Sequence, residues 1–94
     1  MKKTNFEWDK VKNIQNQNKH KISFDVAQYA FADTKRIIAK DIEHSADEER
    51  YYCFGKVATE IVTVRFTYRK QKIRIIGAGY WRKGKRIYEK ENKI

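Results

Sequence analysis

The amino-terminal third of the chain repeats its apolar and polar positions with a helical period. Asp9 stands before this repeat and is predicted as an N-cap, because its carboxylate can accept N–H bonds that the first turn leaves open. Val11 and Ile14 follow at helical spacing, and the positive character of Lys19-His20 suits a helix end. The pattern predicts a first helix from about Asp9 to Lys19-His20, after a short extended segment at Phe6-Glu7-Trp8.

A second helical repeat comes directly after the first. Ser23 is predicted as its N-cap, since a serine hydroxyl accepts the same kind of N–H bond. Phe24, Ala27 and Phe31 then lie on one face, and Asp33-Thr34 is predicted to end the helix.

From Arg36 onward the period changes to two, which is typical of strands. Strands are predicted over 36–40, 50–55, 61–68 and 72–76, with an acidic loop over 41–49 and a turn over 69–71. Because apolar residues alternate through the last two strands, Arg65, Lys72 and Arg74 are expected to share the outer face of a meander. Gly77-Ala78-Gly79 is predicted to break the last strand, and a closing helix to run from about Tyr80 to Asn92.

The expected fold is therefore a single α+β domain over residues 1–94. It consists of a small antiparallel sheet of about four strands, two N-terminal helices and a C-terminal helix. A chain of 94 residues is long enough for one modest core.

Positive charge is concentrated in the last third of the chain. The net charge is +10, and residues 65–94 carry eleven basic and two acidic side chains. A basic surface of this kind attracts polyanions through Coulomb forces and counterion release. The alternative is a solvated, solubilising face.

The remaining composition limits the class of protein. Cys53 is the only cysteine, which excludes an internal disulfide, and we expect it to be buried and inert. One cysteine and two separated histidines do not favour a structural zinc site, and no cofactor is expected. No apolar run follows the charged amino terminus, so we expect a cytoplasmic protein that does not bind membranes.

Three ordered segments resemble the BrnT family of toxins, at the spacing found in that family. They are Phe6-Glu7-Trp8-Asp9 with Lys12 and 19–24, then 41–45 with Glu48-Glu49-Arg50, and finally 74–78 with Tyr88. The resemblance implies an RNA-cleaving toxin of a type II toxin–antitoxin system that inhibits translation, with a fold similar to the RelE class of small ribonucleases. It departs from the family at Gly77, Gly79 and Gly84, where many members carry Ser, Arg and Glu.

The resemblance also implies partners. The toxin would be neutralised by a BrnA-type antitoxin, with an antitoxin dimer bridging toxins, and operator DNA would be contacted only through that complex. We expect an acidic or helical antitoxin segment to cover the face between Arg65 and Arg86.

RNA cleavage without a metal needs a general acid, a general base and cations on the phosphate. His44 is the candidate for proton transfer, because histidine has an unperturbed pKa of about 6.5, and a nearby carboxylate can orient its ring. His20, at the end of the first helix, is expected to be structural. Glu49 is a second candidate base, and Arg50 and Arg74 are the candidate phosphate ligands. An ion pair is the alternative for each of these last three side chains.

Further candidates would bind the RNA strand. They are basic side chains of the last third and one tyrosine that can stack on an unpaired base: Arg65, Lys72, Tyr80, Arg82, Lys83 and Arg86. Trp81 is expected in the core, and Gly77-x-Gly79 is a candidate anion-binding turn ahead of a helix.

Two other functions fit the same residues. One is a non-catalytic nucleic-acid-binding module, and the other is a degenerate toxin that survives as a scaffold for its antitoxin. Loss of cleavage on changing one acid–base residue would separate a nuclease from both.

Overall fold

The computed structural model describes residues 5–94, which form an α+β fold of five strands and three α-helices. The sheet has the order β1-β5-β4-β3-β2; β1 is parallel to β5, and all other pairs are antiparallel. Within 5–94 no helix is long and apolar enough to cross a membrane. The strands are β1 (Phe6–Glu7), β2 (Ile37–Asp41), β3 (Arg50–Val57), β4 (Glu60–Arg69) and β5 (Lys72–Gly79); the helices are α1 (Lys10–His20), α2 (Phe24–Ala27) and α3 (Arg82–Glu91).

Both predicted N-caps are confirmed. The Asp9 carboxylate accepts a bond from the Lys12 N–H at 3.0 Å, and the Ser23 hydroxyl accepts one from the Val26 N–H at 3.2 Å. The second helix is shorter than predicted, because α2 ends at Ala27 and continues as a 3-10 helix over Gln28–Ala32.

Three predictions about the sheet are wrong. The sheet has five strands rather than four and is mixed rather than antiparallel, since the segment at Phe6–Glu7 pairs in parallel with Ile73 and Arg74 of β5. Gly77-Ala78-Gly79 does not break the last strand but forms its end, so it is not an anion-binding turn. Packing explains this last difference: a Cβ on Gly79 would lie 2.6 Å from the Trp81 ring, so glycine leaves room for the indole against β5.

One face of the sheet carries the core. The helix α2 and the 3-10 helix contribute Phe24, Ala27 and Ala30, which are fully buried against β3, β4 and β5. Cys53 is also fully buried there, as predicted, and burial raises the pKa of its thiol to about 12.

Helix α3 covers one end of the opposite face. It approaches closely at Gly84, where an added Cβ would lie 2.9 Å from the Phe54 ring and would overlap the Thr63 hydroxyl. The hydroxyl of the buried Tyr88 donates to Asp33 Oδ2 at 2.6 Å, which fixes the far end of α3 to the segment before β2. The other end of this face is left open, and it carries the candidate site.

Candidate active site

Cross-strand register arranges the residues of this face of the sheet in three rows. The first row is charged, the second is mixed, and the third lies under α3. In order across the strands, the rows are Asp41, Arg50, Thr67, Arg74 and Glu7; Ala39, Tyr52, Arg65 and Gly77; and Ile37, Phe54, Thr63 and Gly79. The predicted shared face of Arg65, Lys72 and Arg74 is confirmed by this register.

The two predicted phosphate ligands lie in the first row, on either side of Thr67. Neighbouring strands are about 4.8 Å apart, so the backbones of Arg50 and Arg74 are roughly 10 Å apart. Arg74 Nη1 is paired with Glu7 Oε2 at 2.6 Å. Arg50 Nε lies 4.0 Å from Glu48 Oε1 and, within residues 5–94, is buried without a hydrogen-bond partner.

A carboxylate holds His44 at the edge of this face. His44 Nδ1 lies 2.9 and 3.1 Å from the two carboxylate oxygens of the buried Asp41. The Ser45 hydroxyl fixes the loop by donating to the Asp41 carbonyl and accepting from the Arg50 N–H at 2.9 Å. The imidazole is half exposed, and no bond to its Nε2 is formed by the described residues.

The protonation state of Asp41 sets the tautomer of His44. Burial raises the pKa of Asp41, but its hydrogen bond with His44 and the charge of that ring outweigh burial, and the pKa is lowered overall. An ionised carboxylate only accepts hydrogen bonds, so Nδ1 carries the proton that faces it. Nε2 is therefore the nitrogen available to a bound molecule.

An open cavity of about 520 Å³ joins this imidazole to the second row and to the start of α3. We refer to it as the main cavity. Its chemistry comes from an imidazole, a phenol, two cations and an indole. These side chains are His44, Tyr52, Arg65, Lys83 and Trp81.

Tyr52 lines this cavity, and its hydroxyl is hydrogen-bonded to the Asp41 carboxylate. Burial and the negative charge of Asp41 raise the pKa of its hydroxyl, which therefore stays protonated at neutral pH. Thr63 also lines the cavity, and its hydroxyl has no hydrogen-bond partner among residues 5–94. Helix α3 begins at the cavity without a side-chain cap, so the N–H groups of its first turn favour an anion there.

The structure does not bring all the predicted site residues together. Glu49 is bound by Lys40 Nζ at 3.0 Å and by the Tyr51 hydroxyl at 2.8 Å. These two side chains point to the opposite face of the sheet, where Tyr51 packs on Phe66. Glu49 itself does not line the main cavity, although its partner Lys40 does. Four predicted RNA-binding residues line neither the main cavity nor either of two smaller cavities: Lys72, Tyr80, Arg82 and Arg86.

Sequence reasoning missed the partner of His44 and misplaced one aromatic residue. Asp41 was assigned to a loop, although a carboxylate three residues before a histidine is a spacing that one helical turn brings together. Trp81 was expected in the core, but it is 40 % exposed and borders the main cavity. Among residues 5–94, no three His, Cys, Asp or Glu side chains are grouped as metal ligands.

A comparison with protein families finds a match over most of the chain. Residues 8–84 match the family described as "Ribonuclease toxin, BrnT, of type II toxin-antitoxin system". A search of curated proteins finds no match.

Proposed function

Because this chain belongs to the BrnT family of ribonuclease toxins of type II toxin–antitoxin systems, we propose that it cleaves RNA in the main cavity, without a metal ion. The observation that carries the proposal is the pairing of His44 with Asp41 at a cavity that also contains Arg65 and Lys83. An imidazole for proton transfer thus lies beside two cations that can bind a phosphate.

The reaction is attack of a ribose 2′-hydroxyl on the adjacent phosphorus. The O2′–P bond forms and the P–O5′ bond breaks, which leaves a 2′,3′-cyclic phosphate and a free 5′-hydroxyl. One proton leaves O2′ and one reaches O5′, and His44 Nε2 exchanges one of them with the substrate. Asp41 holds the ring in the required tautomer.

Cations and donors around the phosphate supply the remaining stabilisation. Negative charge grows on the phosphate oxygens in the transition state, and fixed donors in a partly desolvated site stabilise it. Arg65 and Lys83 line the cavity, and Tyr52 lines it too, with its hydroxyl hydrogen-bonded to Asp41. Arg50 and Arg74 belong to the neighbouring row, where Glu48 and Glu7 lie beside them, so a phosphate would have to compete with these carboxylates.

The first test is cleavage of bulk RNA by the purified protein in EDTA. We expect His44→Ala to lower the rate by about 10²- to 10⁴-fold and Arg65→Ala by about 10²- to 10³-fold. Lys35→Ala, which removes one exposed charge outside the cavities, is expected to cleave like the wild type. Cleavage that requires an added divalent ion would contradict the metal-independent proposal.

A substrate with sulfur in place of the bridging O5′ assigns the role of His44. The thiolate leaves without a proton, so this substrate restores activity to His44→Ala if the histidine is the acid. If the histidine is the base, the variant stays inactive on both substrates.

We propose that the partner is a BrnA-type antitoxin whose acidic or helical segment covers the face between Arg65 and Arg86. The concentration of positive charge in residues 65–94 supports this placement. Hydrogen exchange of residues 65–86 is expected to slow in the complex. Unchanged exchange on this face would contradict the placement. Tight antitoxin binding by a protein that leaves all RNA intact would instead identify a toxin retained as a scaffold.

We also propose that residues 1–94 act as one toxin domain with a RelE-like fold, and that operator DNA is bound only through the toxin–antitoxin complex, with an antitoxin dimer bridging toxins. The sheet with short helices on one face and α3 on the other supports the fold assignment.

A further inference from the structure

Helix α1 is attached to the sheet by amide side chains. No residue of α1 is buried, and Val11 and Ile14 are 61 % and 59 % exposed. Asn16 bonds both backbone groups of Ala78 in β5: its Nδ2 donates to the carbonyl at 3.0 Å, and its Oδ1 accepts from the N–H at 3.2 Å. Asn13 Oδ1 accepts from the Phe24 N–H at 2.8 Å. The helix is therefore fixed along the edge of β5 without burying an apolar stripe.

A groove of about 320 Å³ runs between α1 and β5. We call it the α1 groove. Helix α1 has no acidic residue, and the side that it turns to the groove is basic and polar. The lining residues from α1 are Lys12, Gln15, Asn16, Lys19 and His20.

The α1 groove continues into the main cavity. Arg65 and Trp81 line both. Gly77 forms part of the floor, and an added Cβ there would meet no atom closer than 3.9 Å, so the groove is open above this residue. A polyanion bound in the main cavity can therefore extend directly onto a second basic surface, the α1 groove.

Trp81 forms a fixed aromatic surface between the main cavity and the α1 groove. Its indole lies against the backbone at Gly79, and the His20 ring contacts it edge-on with the ring centroids 4.9 Å apart. The indole is still 40 % exposed. An exposed aromatic ring beside cations is the arrangement on which an unpaired base stacks.

We infer that the α1 groove is a second nucleotide subsite, which binds the nucleotide next to the one in the main cavity. Lys12 and Lys19 bind its phosphate, and its base stacks on Trp81. This inference rests on the proposed function, because it takes RNA as the ligand, and it narrows the substrate to single-stranded RNA. A duplex keeps its bases stacked on one another and cannot offer one to the indole.

Binding without cleavage tests the subsite. A short RNA strand with 2′-O-methyl riboses cannot undergo the reaction, and its affinity is measured by fluorescence anisotropy over a range of salt concentrations. For Lys12→Ala/Lys19→Ala we expect a roughly tenfold loss of affinity and a salt slope lower by about 0.7, since each neutralised phosphate of a single strand contributes about 0.7. Lys10→Ala/Lys90→Ala is the control, because it removes the same charge from exposed helix positions outside both cavities. We expect it to keep most of the salt dependence of the affinity.

The stacking contact has its own test with the same strand. Trp81→Ala is expected to lose about 5-fold or more in affinity, and Trp81→Phe to keep most of it, because any aromatic face stacks on a base. Tyr29→Ala is the matched control, since Tyr29 is exposed and lines neither cavity. The wild type is expected to bind the single strand more tightly than a duplex of the same sequence.

The outcomes separate the two proposals. Equal affinities for the two double-lysine variants, or a duplex bound as tightly as the single strand, would overturn the subsite even if the wild type cleaves RNA. If the wild type binds the methylated strand through the α1 groove but cleaves no RNA, the subsite stands and the proposed function fails. A wild type that does not bind the strand overturns the subsite, and the cleavage assay in EDTA still decides the proposed function.

Discussion

Removing the Tyr88 hydroxyl tests how α3 is held against the rest of the fold. Tyr88 is 3 % exposed, and its hydroxyl donates to Asp33 Oδ2 at 2.6 Å. The same carboxylate accepts from the backbone N–H groups of Lys56 at 2.8 Å and Lys35 at 2.9 Å. Asp33 therefore joins α3, β3 and the segment before β2, and Tyr88→Phe cuts one of these connections.

The expected loss follows from the charge on the acceptor. Burial raises the pKa of Asp33, but the hydrogen bonds from Tyr88, Lys56 and Lys35 outweigh it and lower the pKa below its ordinary value of 3.8. The carboxylate is thus ionised at neutral pH, and a hydrogen bond to a charged group contributes about 1.5 to 3 kcal/mol. We expect Tyr88→Phe to lower the free energy of unfolding by about 2 kcal/mol at pH 7.

The stability difference between the wild type and Tyr88→Phe depends on pH in both the acidic and the basic range. The pKa of Asp33 is lowered in the folded chain, so its contribution is present above pH 3.8 and is lost as the pH falls through the folded value. Burial and Asp33 raise the pKa of Tyr88 from 10.0 to about 12, so that contribution is present below pH 10 and is lost as the pH rises towards 12. The difference between wild type and variant is therefore largest between these limits.

Urea unfolding at a series of pH values measures this difference. Tyr29→Phe is the control, because Tyr29 is 61 % exposed and its hydroxyl has no hydrogen bond to the residues described. A Tyr88→Phe variant that is as stable as Tyr29→Phe at pH 7 would refute the reasoning. A difference from wild type that does not shrink below pH 3.8 would refute the role of the Asp33 charge.

Three further predictions concern packing and reactivity. Gly84→Ala is expected to lower the free energy of unfolding by about 1 to 3 kcal/mol, because its Cβ overlaps the Thr63 hydroxyl. Adding Thr63→Ala to this variant is expected to recover part of the loss, as measured by urea unfolding. Asn16→Leu is expected to increase hydrogen exchange throughout α1, since it removes both bonds to Ala78; unchanged exchange would contradict the role of the amide. The thiol of Cys53, fully buried and with its pKa raised to about 12, is expected to react with a disulfide reagent at pH 8 only as fast as the protein unfolds, and rapid labelling of the folded protein would contradict this.

Local patterns were enough to predict most of the elements. The N-caps at Asp9 and Ser23 depend on neighbouring N–H groups, and both are confirmed. The hairpin of β4 and β5 follows from alternation of apolar residues. The second strand of the prediction, over 50–55, is confirmed and extends to Val57.

Features that depend on distant residues could not be read in this way. A two-residue strand such as β1 has no periodicity, and its pairing depends on Ile73 and Arg74, far along the chain. Gly77 and Gly79 carry a local signal for a break, which the packing of Trp81 overrides. Glu49 was predicted as a second candidate base, but its carboxylate is bound by Lys40 and Tyr51, whose side chains lie on the opposite face by alternation along β2 and β3.

The first and last strands of the fold lie side by side. Phe6 of β1 pairs with Ile73 of β5, and α1 reaches Ala78 through Asn16, so an early and a late segment of the chain build one edge of the sheet. A ribosome releases the amino-terminal part first, so β1 has no pairing partner until β5 has been synthesised. The proposed site, with its parts from α1, β4 and the start of α3, thus comes together only after all three have been made. Until β5 is present, the α1 groove lacks one of its two walls.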